Sequence, residues 1–184
     1  MIKLSFSQLA QVLQLESVPK DGKFCGVSTD TRNIEEGNLF LAIEGPNFDG
    51  HDFVEDAKAK GAVAAIVSRP IQTDLPCFVV SDTIQALGQL ATYWRKQFKI
   101  PLVAITGSNG KTTVKNMIAA VLQASCKKPE YCLVTLGNFN NHIGVPLTLL
   151  RLNSKHQFAV IEMGMNHFSE ISYLSRMAEP SVAV

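Results

Sequence analysis

The sequence has no long hydrophobic run and no dominant charge of one sign, and each absence excludes a class of function. Its longest apolar segments, such as residues 62–67 and 102–105, are far shorter than the roughly 20 residues of a transmembrane helix. A net charge of +1 with interspersed signs leaves no basic stripe for a nucleic acid. We therefore expect a soluble globular protein with no membrane insertion and no nucleic-acid partner.

The sequence also has few cysteines and no secretory signal. No two of its 4 cysteines form a C-x-x-C pair or show metal-ligand spacing, which favours reduced thiols in a cytoplasmic protein. The N-terminal segment MIKLSFSQLAQVL lacks a basic start followed by an uninterrupted apolar stretch, so it predicts no signal peptide. The 184 residues are 46% hydrophobic, enough for the core of one large domain or two small ones.

The most informative segment is a glycine-rich loop that follows an apolar run and precedes a helical pattern. The run is residues 102–105, the helical pattern covers residues 114–122, and the loop reads Thr106, Gly107, Ser108, Asn109, Gly110, Lys111, Thr112 and Thr113. A strand, loop and helix in this order direct backbone N–H groups, a helix N-terminus and one ammonium to a single point, which is a phosphate site. Lys111 is expected at the terminal phosphates, and the Thr112 hydroxyl is expected to ligate Mg²⁺.

The loop departs from the longer P-loop pattern G-x-x-x-x-G-K-[ST], because Ile105 stands where the first glycine belongs. The alternative is an ordinary turn before a helix. The strand-loop-helix setting favours the phosphate site.

Alternating strand and helix patterns predict two α/β units. Residues 1–82 form a small unit that opens with a capping box at Ser5 and Gln8 and contains a helix over residues 53–60, with Phe53 inward. Residues 83–184 form part of a P-loop ATPase domain with a mostly parallel sheet, and its ligand sites lie beyond the carboxyl ends of the strands.

Several polar side chains follow strands at that predicted edge. Glu162 ends the apolar run 158–161 and is a candidate Mg²⁺ ligand, or else a solvated glutamate. Asn140 and Asn141 follow the preceding strand, where amides suit a turn as well as a sugar or phosphate. His167 could approach phosphate or metal, or be a hydrogen-bonded structural histidine.

Three segments resemble the Mur ligase family. The loop TGSNGKTT at residues 106–113 is similar to the ATP loop of the Mur ligases and of their relative folylpolyglutamate synthase. The segments GNFNNHIGVPLTLL at 137–150 and EMGMNH at 162–167 are similar to those of the members that add D-alanyl-D-alanine. Met165 and Ser169 depart from the family pattern, since they replace a small residue and a glycine.

The resemblance implies an ATP-dependent amide ligase of peptidoglycan precursor synthesis. Such an enzyme phosphorylates the terminal carboxylate of UDP-N-acetylmuramoyl-tripeptide, and the amine of D-alanyl-D-alanine attacks the acyl phosphate. ATP and Mg²⁺ are the implied cofactors, and the full-length protein is expected to be a cytoplasmic monomer. Lys111, Glu162 and His167 take catalytic roles, Thr112 and Glu162 hold the metal, and Asn140 and Asn141 contact substrate or nucleotide.

Two polar stretches of the first unit resemble the segments with which Mur ligases hold uridine diphosphate. They cover residues 28–32 and 45–51, and the resemblance implies that Ser28, Asn47 and His51 contact the substrate. Asp30 and Arg32 are expected to brace the loop. Each stretch could instead be only a turn with a surface ion pair.

The chain stops at residues 181–184, inside a predicted strand. Mur ligases continue with more of the ATPase sheet, a carbamylated lysine and a C-terminal domain. The resemblance therefore implies an N-terminal part that does not ligate alone. Two other interpretations stay open: a ligase like folylpolyglutamate synthase, and a non-catalytic module that binds uridine nucleotides.

Overall fold

The computed structural model describes all 184 residues and divides into two compact units, Met1–Leu90 and Ala91–Val184. Each unit contains a four-stranded sheet whose strands all run parallel. The predicted α/β class with mostly parallel sheets is thus confirmed. No helix in the structure combines the length and the apolar composition needed to cross a membrane.

The first unit opens with a small antiparallel pair of strands. Strand β1 (Lys3–Ser5) pairs with β2 (Lys23–Cys25), and helix α1 (Phe6–Val12) lies between them in the chain. The predicted capping box is present, because Ser5 Oγ accepts the Gln8 N–H at 3.1 Å and Gln8 Oε1 accepts the Ser5 N–H at 2.9 Å. The start of α1 is therefore determined locally.

The parallel sheet of the first unit has the strand order β3-β4-β5-β6. Its strands are β3 (Val27–Ser28), β4 (Leu39–Leu41), β5 (Ala64–Val67) and β6 (Cys77–Val79). Helix α2 (Val54–Ala59) follows a 3₁₀ turn and buries Val54 and Ala57 against Phe40 and Ala65. The expectation that Phe53 points inward is wrong: Phe53 lies in the 3₁₀ turn, is 39% exposed and lines a cleft.

The second unit carries the parallel sheet β10-β7-β9-β8. Its elements in chain order are β7 (Leu102–Ile105), α4 (Lys111–Ser125), β8 (Cys132–Val134), α5 (Gly144–Leu149), β9 (Phe158–Glu162), α6 (Glu170–Ala178) and β10 (Val182–Ala183). Helix α3 (Thr83–Arg95) precedes β7 and contains the boundary between the two units. One face of α4 packs on the sheet, with Ala119 against Ile105 and Val160 in one buried cluster.

Candidate functional site

The loop between β7 and α4 has the geometry of a phosphate site. Gly107 at φ +139° and Gly110 at φ +78° adopt conformations that L side chains rarely take, so the turn depends on glycine at both places. Lys111 is the first residue of α4, and its Nζ donates to the Gly107 carbonyl oxygen at 2.7 Å. No side chain caps this helix, which leaves its first N–H groups available to an anion.

Glu162 ends β9 at the same sheet edge as the glycine-rich loop, because the β7–β9 register pairs it with Ile105, the last residue before that loop. Its carboxylate is buried and contacts three side-chain donors. Asn140 Nδ2 lies 2.9 Å from Oε1, the Thr112 hydroxyl lies 3.0 Å from Oε2, and Lys115 Nζ lies 3.3 Å from Oε2. Burial alone raises the pKa of Glu162, but the donors Asn140, Thr112 and Lys115 outweigh it and hold this pKa below its usual range.

Thr112 and Glu162 together fit a magnesium ion that arrives with a nucleotide. Their oxygens lie side by side, and Mg²⁺ prefers oxygen ligands, commonly one or two from protein and the rest from phosphates and water. No group of three or more histidine, cysteine, aspartate or glutamate side chains in the structure could hold a metal ion by itself. The donor set therefore suits a metal ion only if phosphate oxygens complete the coordination.

Both predicted asparagines lie in the loop after β8, where each makes a bond within the protein. Asn140 donates to Glu162 and its carbonyl oxygen accepts the Gly164 N–H at 2.8 Å, so this loop is tied to the end of β9. The side-chain oxygen of Asn141 accepts the N–H groups of Ile143 and Gly144 at 3.1 and 2.8 Å, which starts the turn into α5. In this structure Asn140 orients the carboxylate and Asn141 orders the loop.

His167 lies on an exposed loop beyond the end of β9. Its backbone N–H donates to Glu170 Oε2 at 3.1 Å, as does the N–H of Asn166 at 2.7 Å. Ser169, which stands where the family pattern has glycine, takes the left-handed conformation at φ +68° before α6. The departure from glycine thus falls at a position whose backbone conformation favours glycine.

Two residues that contact Glu162, Lys115 and Thr135, were not predicted from the sequence. Lys115 lies three residues after Thr112, on the same face of α4, and is only 3% exposed. Lysine is unusual between inward-facing residues such as Val114 and Ile118, and this position in the sequence could have indicated that Lys115 is buried. Thr135, the residue after β8, accepts the Glu162 N–H at 3.0 Å through Oγ1, and no local pattern marks it because its partner lies 27 residues away.

The first unit contains a cleft of about 440 Å³ that is lined in part by the two predicted polar stretches. Its lining includes Thr29, Asp30, Arg32, Phe48, Gly50 and Phe53. Asp30 and Arg32 brace each other at 2.7 Å, and the Ser28 hydroxyl is held by the backbone N–H and carbonyl oxygen of Asp30 at 3.2 and 2.9 Å. Asn47 is exposed beside Phe48. A concave site with polar groups and two exposed aromatic rings can hold a nucleobase and its diphosphate.

His51 follows Gly50, which lines this cleft, and is buried. Its Nδ1 is 2.5 Å from Asp49 Oδ1, and its Nε2 accepts the Ser68 N–H at 2.9 Å. Arg69 pairs with the second oxygen of Asp49. The order Asp–His–Ser resembles a hydrolytic triad, but the Nε2 lone pair already accepts a backbone N–H and cannot serve as a base. Both ring nitrogens are thus engaged within the protein, and the predicted substrate contact of His51 stays a prediction.

Comparison with known proteins covers nearly the whole chain. The model of the Mur ligase family, catalytic domain, matches residues 23–102, and the model of the Mur ligase middle domain matches residues 105–184. The UDP-N-acetylmuramoyl-tripeptide–D-alanyl-D-alanine ligases of Haemophilus influenzae and Escherichia coli are 46% and 47% identical, and each alignment covers 100% of this chain. The chain spans 41% and 40% of those two proteins.

Solved structures resemble the chain over the same range. A crystal structure of MurF from Acinetobacter baumannii superposes with a TM-score of 0.90 at 41% identity, covering 100% of this chain and 40% of that one. The MurF ligase of Thermotoga maritima in complex with ADP has a TM-score of 0.74 at 31% identity, over 84% of this chain and 35% of its own. Because the two family models together account for both units, the chain belongs to the Mur ligase family.

Proposed function

We propose that the protein to which this chain belongs is an ATP-dependent ligase that joins D-alanyl-D-alanine to UDP-N-acetylmuramoyl-tripeptide, with ADP and phosphate as the other products. The observation that carries the proposal is the convergence of Lys111, Thr112 and Glu162 at one sheet edge, in a chain similar over its whole length to ligases of that name.

The residues of the second unit suit phosphoryl transfer from ATP to a carboxylate. This reaction depends on positioning anionic groups and neutralising their charge. The loop 107–113 and Lys111 would hold the phosphates, and Thr112 and Glu162 would hold Mg²⁺, which neutralises charge on the transferring phosphoryl group when bound. His167 is proposed as a further contact to metal or phosphate, and its exposed position leaves it accessible.

The cleft of the first unit is proposed to hold the uridine diphosphate part of the substrate. Phe48 and Phe53 offer apolar faces to a base, and Asn47 offers an exposed amide beside them. We assign Ser28 and His51 to shaping this cleft, because their polar atoms are bonded within the protein.

Substrate-dependent ADP formation by the intact protein tests the proposal. We expect ADP from ATP, Mg²⁺ and UDP-N-acetylmuramoyl-tripeptide only when D-alanyl-D-alanine is added, with a pentapeptide product detected by mass. D-alanine alone is the matched control for the acceptor. ADP formation with a folate and glutamate instead would favour a ligase like folylpolyglutamate synthase. Binding of UDP without any ATP turnover would favour a binding module.

Three further properties stay predictions that rest on this proposal. They are a cytoplasmic location, a monomeric full-length protein, and no ligation by residues 1–184 alone. Assaying the 184-residue chain beside the intact protein checks the last of them.

A further inference from the structure

We infer that Lys115 is an internal counter-ion of Glu162 that makes divalent-metal binding at this carboxylate depend on a bound nucleotide. The inference rests on the proposed function, and it concerns a residue to which neither the sequence motifs nor the family resemblance gave a role.

The first step is the placement of Lys115. Its side chain is 3% exposed and that of Glu162 is 2% exposed, with Nζ and Oε2 at 3.3 Å. A buried carboxylate without a partner would be strongly destabilising, and Lys115 is the only charged group in hydrogen-bond contact with Glu162. The pair is therefore neutral as a whole when no metal is present.

The second step is the charge that a metal ion would meet. Of the two proposed metal ligands, Thr112 is uncharged and the charge of Glu162 is already balanced by Lys115. A divalent cation that approaches alone gains little net attraction and loses hydration. A cation that arrives with ADP or ATP brings its own phosphate oxygens and their negative charge. Metal and nucleotide should therefore bind together, and each should raise the affinity of the other equally.

The simpler alternative is that Lys115 only holds the structure together. Its Nζ also donates to the Gly137 carbonyl oxygen at 3.3 Å, so it joins α4 to the loop after β8 as well as to β9. A purely structural lysine would affect stability and leave the affinity for metal without nucleotide unchanged. Metal binding in the absence of nucleotide therefore separates the two roles.

The experiment measures Mn²⁺ binding to the intact protein by the electron paramagnetic resonance signal of free Mn²⁺, with and without ADP. We expect wild type and Lys115→Arg to bind Mn²⁺ at this site only with ADP. Lys115→Met removes the positive charge at similar length and should bind Mn²⁺ without ADP about tenfold more tightly, or better, than wild type. Lys127→Met, which alters an exposed lysine just after α4, is the matched control and should behave as wild type.

The double variant Lys115→Met with Glu162→Gln identifies the carboxylate responsible, because it should lose the nucleotide-independent binding gained by Lys115→Met. An unchanged Mn²⁺ affinity in a folded Lys115→Met variant would overturn the inference. If that variant does not fold, wild type and Glu162→Gln are compared without ADP. Equal binding supports the inference, and wild-type binding that disappears in Glu162→Gln overturns it.

Failure of this inference can be told apart from failure of the proposed function. Nucleotide-dependent Mn²⁺ binding without D-alanyl-D-alanine-dependent turnover would sustain the role of Lys115 and reject the ligase activity. A wild-type protein that binds no Mn²⁺ even with ADP would overturn both.

Discussion

At the scale of single residues, the state of Glu162 is decided by its neighbours rather than by its own chemistry. Burial opposes its charge, whereas the donors of Asn140, Thr112 and Lys115 favour it, and the sum keeps the pKa of the carboxyl below its usual range. Lys111, one helical turn before Lys115, instead reaches back to the loop carbonyl of Gly107. The two lysines of α4 thus have different partners, a loop carbonyl oxygen for Lys111 and a buried carboxylate for Lys115.

Lys111→Ala should lower the rate of D-alanyl-D-alanine-dependent ADP formation by the intact protein by more than about a hundredfold, because it removes a charge that acts on the phosphates. The fold should be unchanged, since the side chain is not part of the core. Circular dichroism and the melting temperature are the checks on folding. A rate within about threefold of wild type would remove Lys111 from the mechanism.

Asp49→Asn should lower the melting temperature at neutral pH by an amount that shrinks in acid. The Arg69 guanidinium, and then the His51 N–H, depress the pKa of Asp49 in the folded protein. A carboxyl group whose pKa is depressed in the folded protein stabilises the fold at pH values above its unfolded pKa of about 4. This contribution is lost as the pH falls through the folded pKa. Melting curves of wild type and Asp49→Asn, recorded from pH 7 downward, measure the difference in melting temperature. A difference in melting temperature that grows as the pH falls would contradict the argument.

At the scale of elements, the site depends on how closely loops approach one another. A Cβ atom on Gly144, at the start of α5, would lie 2.4 Å from the backbone carbon of Phe139. Phe139 precedes Asn140, whose amide binds Glu162. The glycine therefore allows the loop after β8 to pass over the helix start and reach Glu162, the proposed metal ligand.

Gly144→Ala should destabilise the second unit by about 1–3 kcal/mol, because the clash involves backbone atoms that cannot rotate away. A lower melting temperature is the readout. Gly45→Ala is the control, since its Cβ would meet nothing nearer than 3.5 Å and its φ is not in the left-handed region. Equal melting temperatures for Gly144→Ala and wild type would show that the loop adjusts at no cost.

Ser169→Gly should stabilise the start of α6 by roughly 0.5–1 kcal/mol. Serine at φ +68° bears the cost of the left-handed conformation, and its side chain makes no capping bond that glycine would lose. The greater freedom of glycine in the unfolded chain offsets part of the gain. Thermal melts compare it with Ser169→Ala, which keeps the strained conformation and should match wild type. A melting temperature no higher than that of Ser169→Ala would contradict the argument.

At the scale of the whole molecule, the two proposed nucleotide sites lie in different units. The cleft with Phe48 belongs to Met1–Leu90, and the glycine-rich loop with Lys111 belongs to Ala91–Val184. Each site draws its groups from one unit. The two nucleotides of the proposed reaction should therefore bind through separable sets of residues.

Phe48→Ala should weaken UDP binding to the intact protein about tenfold, since stacking of a base on an aromatic ring contributes about 1–3 kcal/mol. It should leave the affinity for ADP with Mg²⁺ unchanged. Lys111→Ala should instead weaken the binding of ADP with Mg²⁺ and leave the affinity for UDP unchanged. Calorimetric titration of both nucleotides against both variants is the measurement. Loss of both affinities in either variant would mean that the two sites are not independent.

The sequence by itself determined the features whose residues lie close together in the chain. The capping box at Ser5 and Gln8, and the run of glycines, Lys111 and Thr112 after an apolar strand, act through neighbours a few residues apart. The alternation of strand and helix patterns along the sequence likewise predicted parallel sheets. These patterns work because turn conformation, helix start and strand exit are local properties.

Only the tertiary structure decided which polar side chains are free and which are engaged. The Ser68 N–H, 17 residues after His51, donates to the Nε2 of that histidine, and the Thr112 hydroxyl donates to Glu162 across 50 residues. The sequence hinted that Lys115 faces inward, but only the structure identified Glu162 as its partner. Hydrogen-bond partners depend on segments distant in the chain, so no local pattern could identify them.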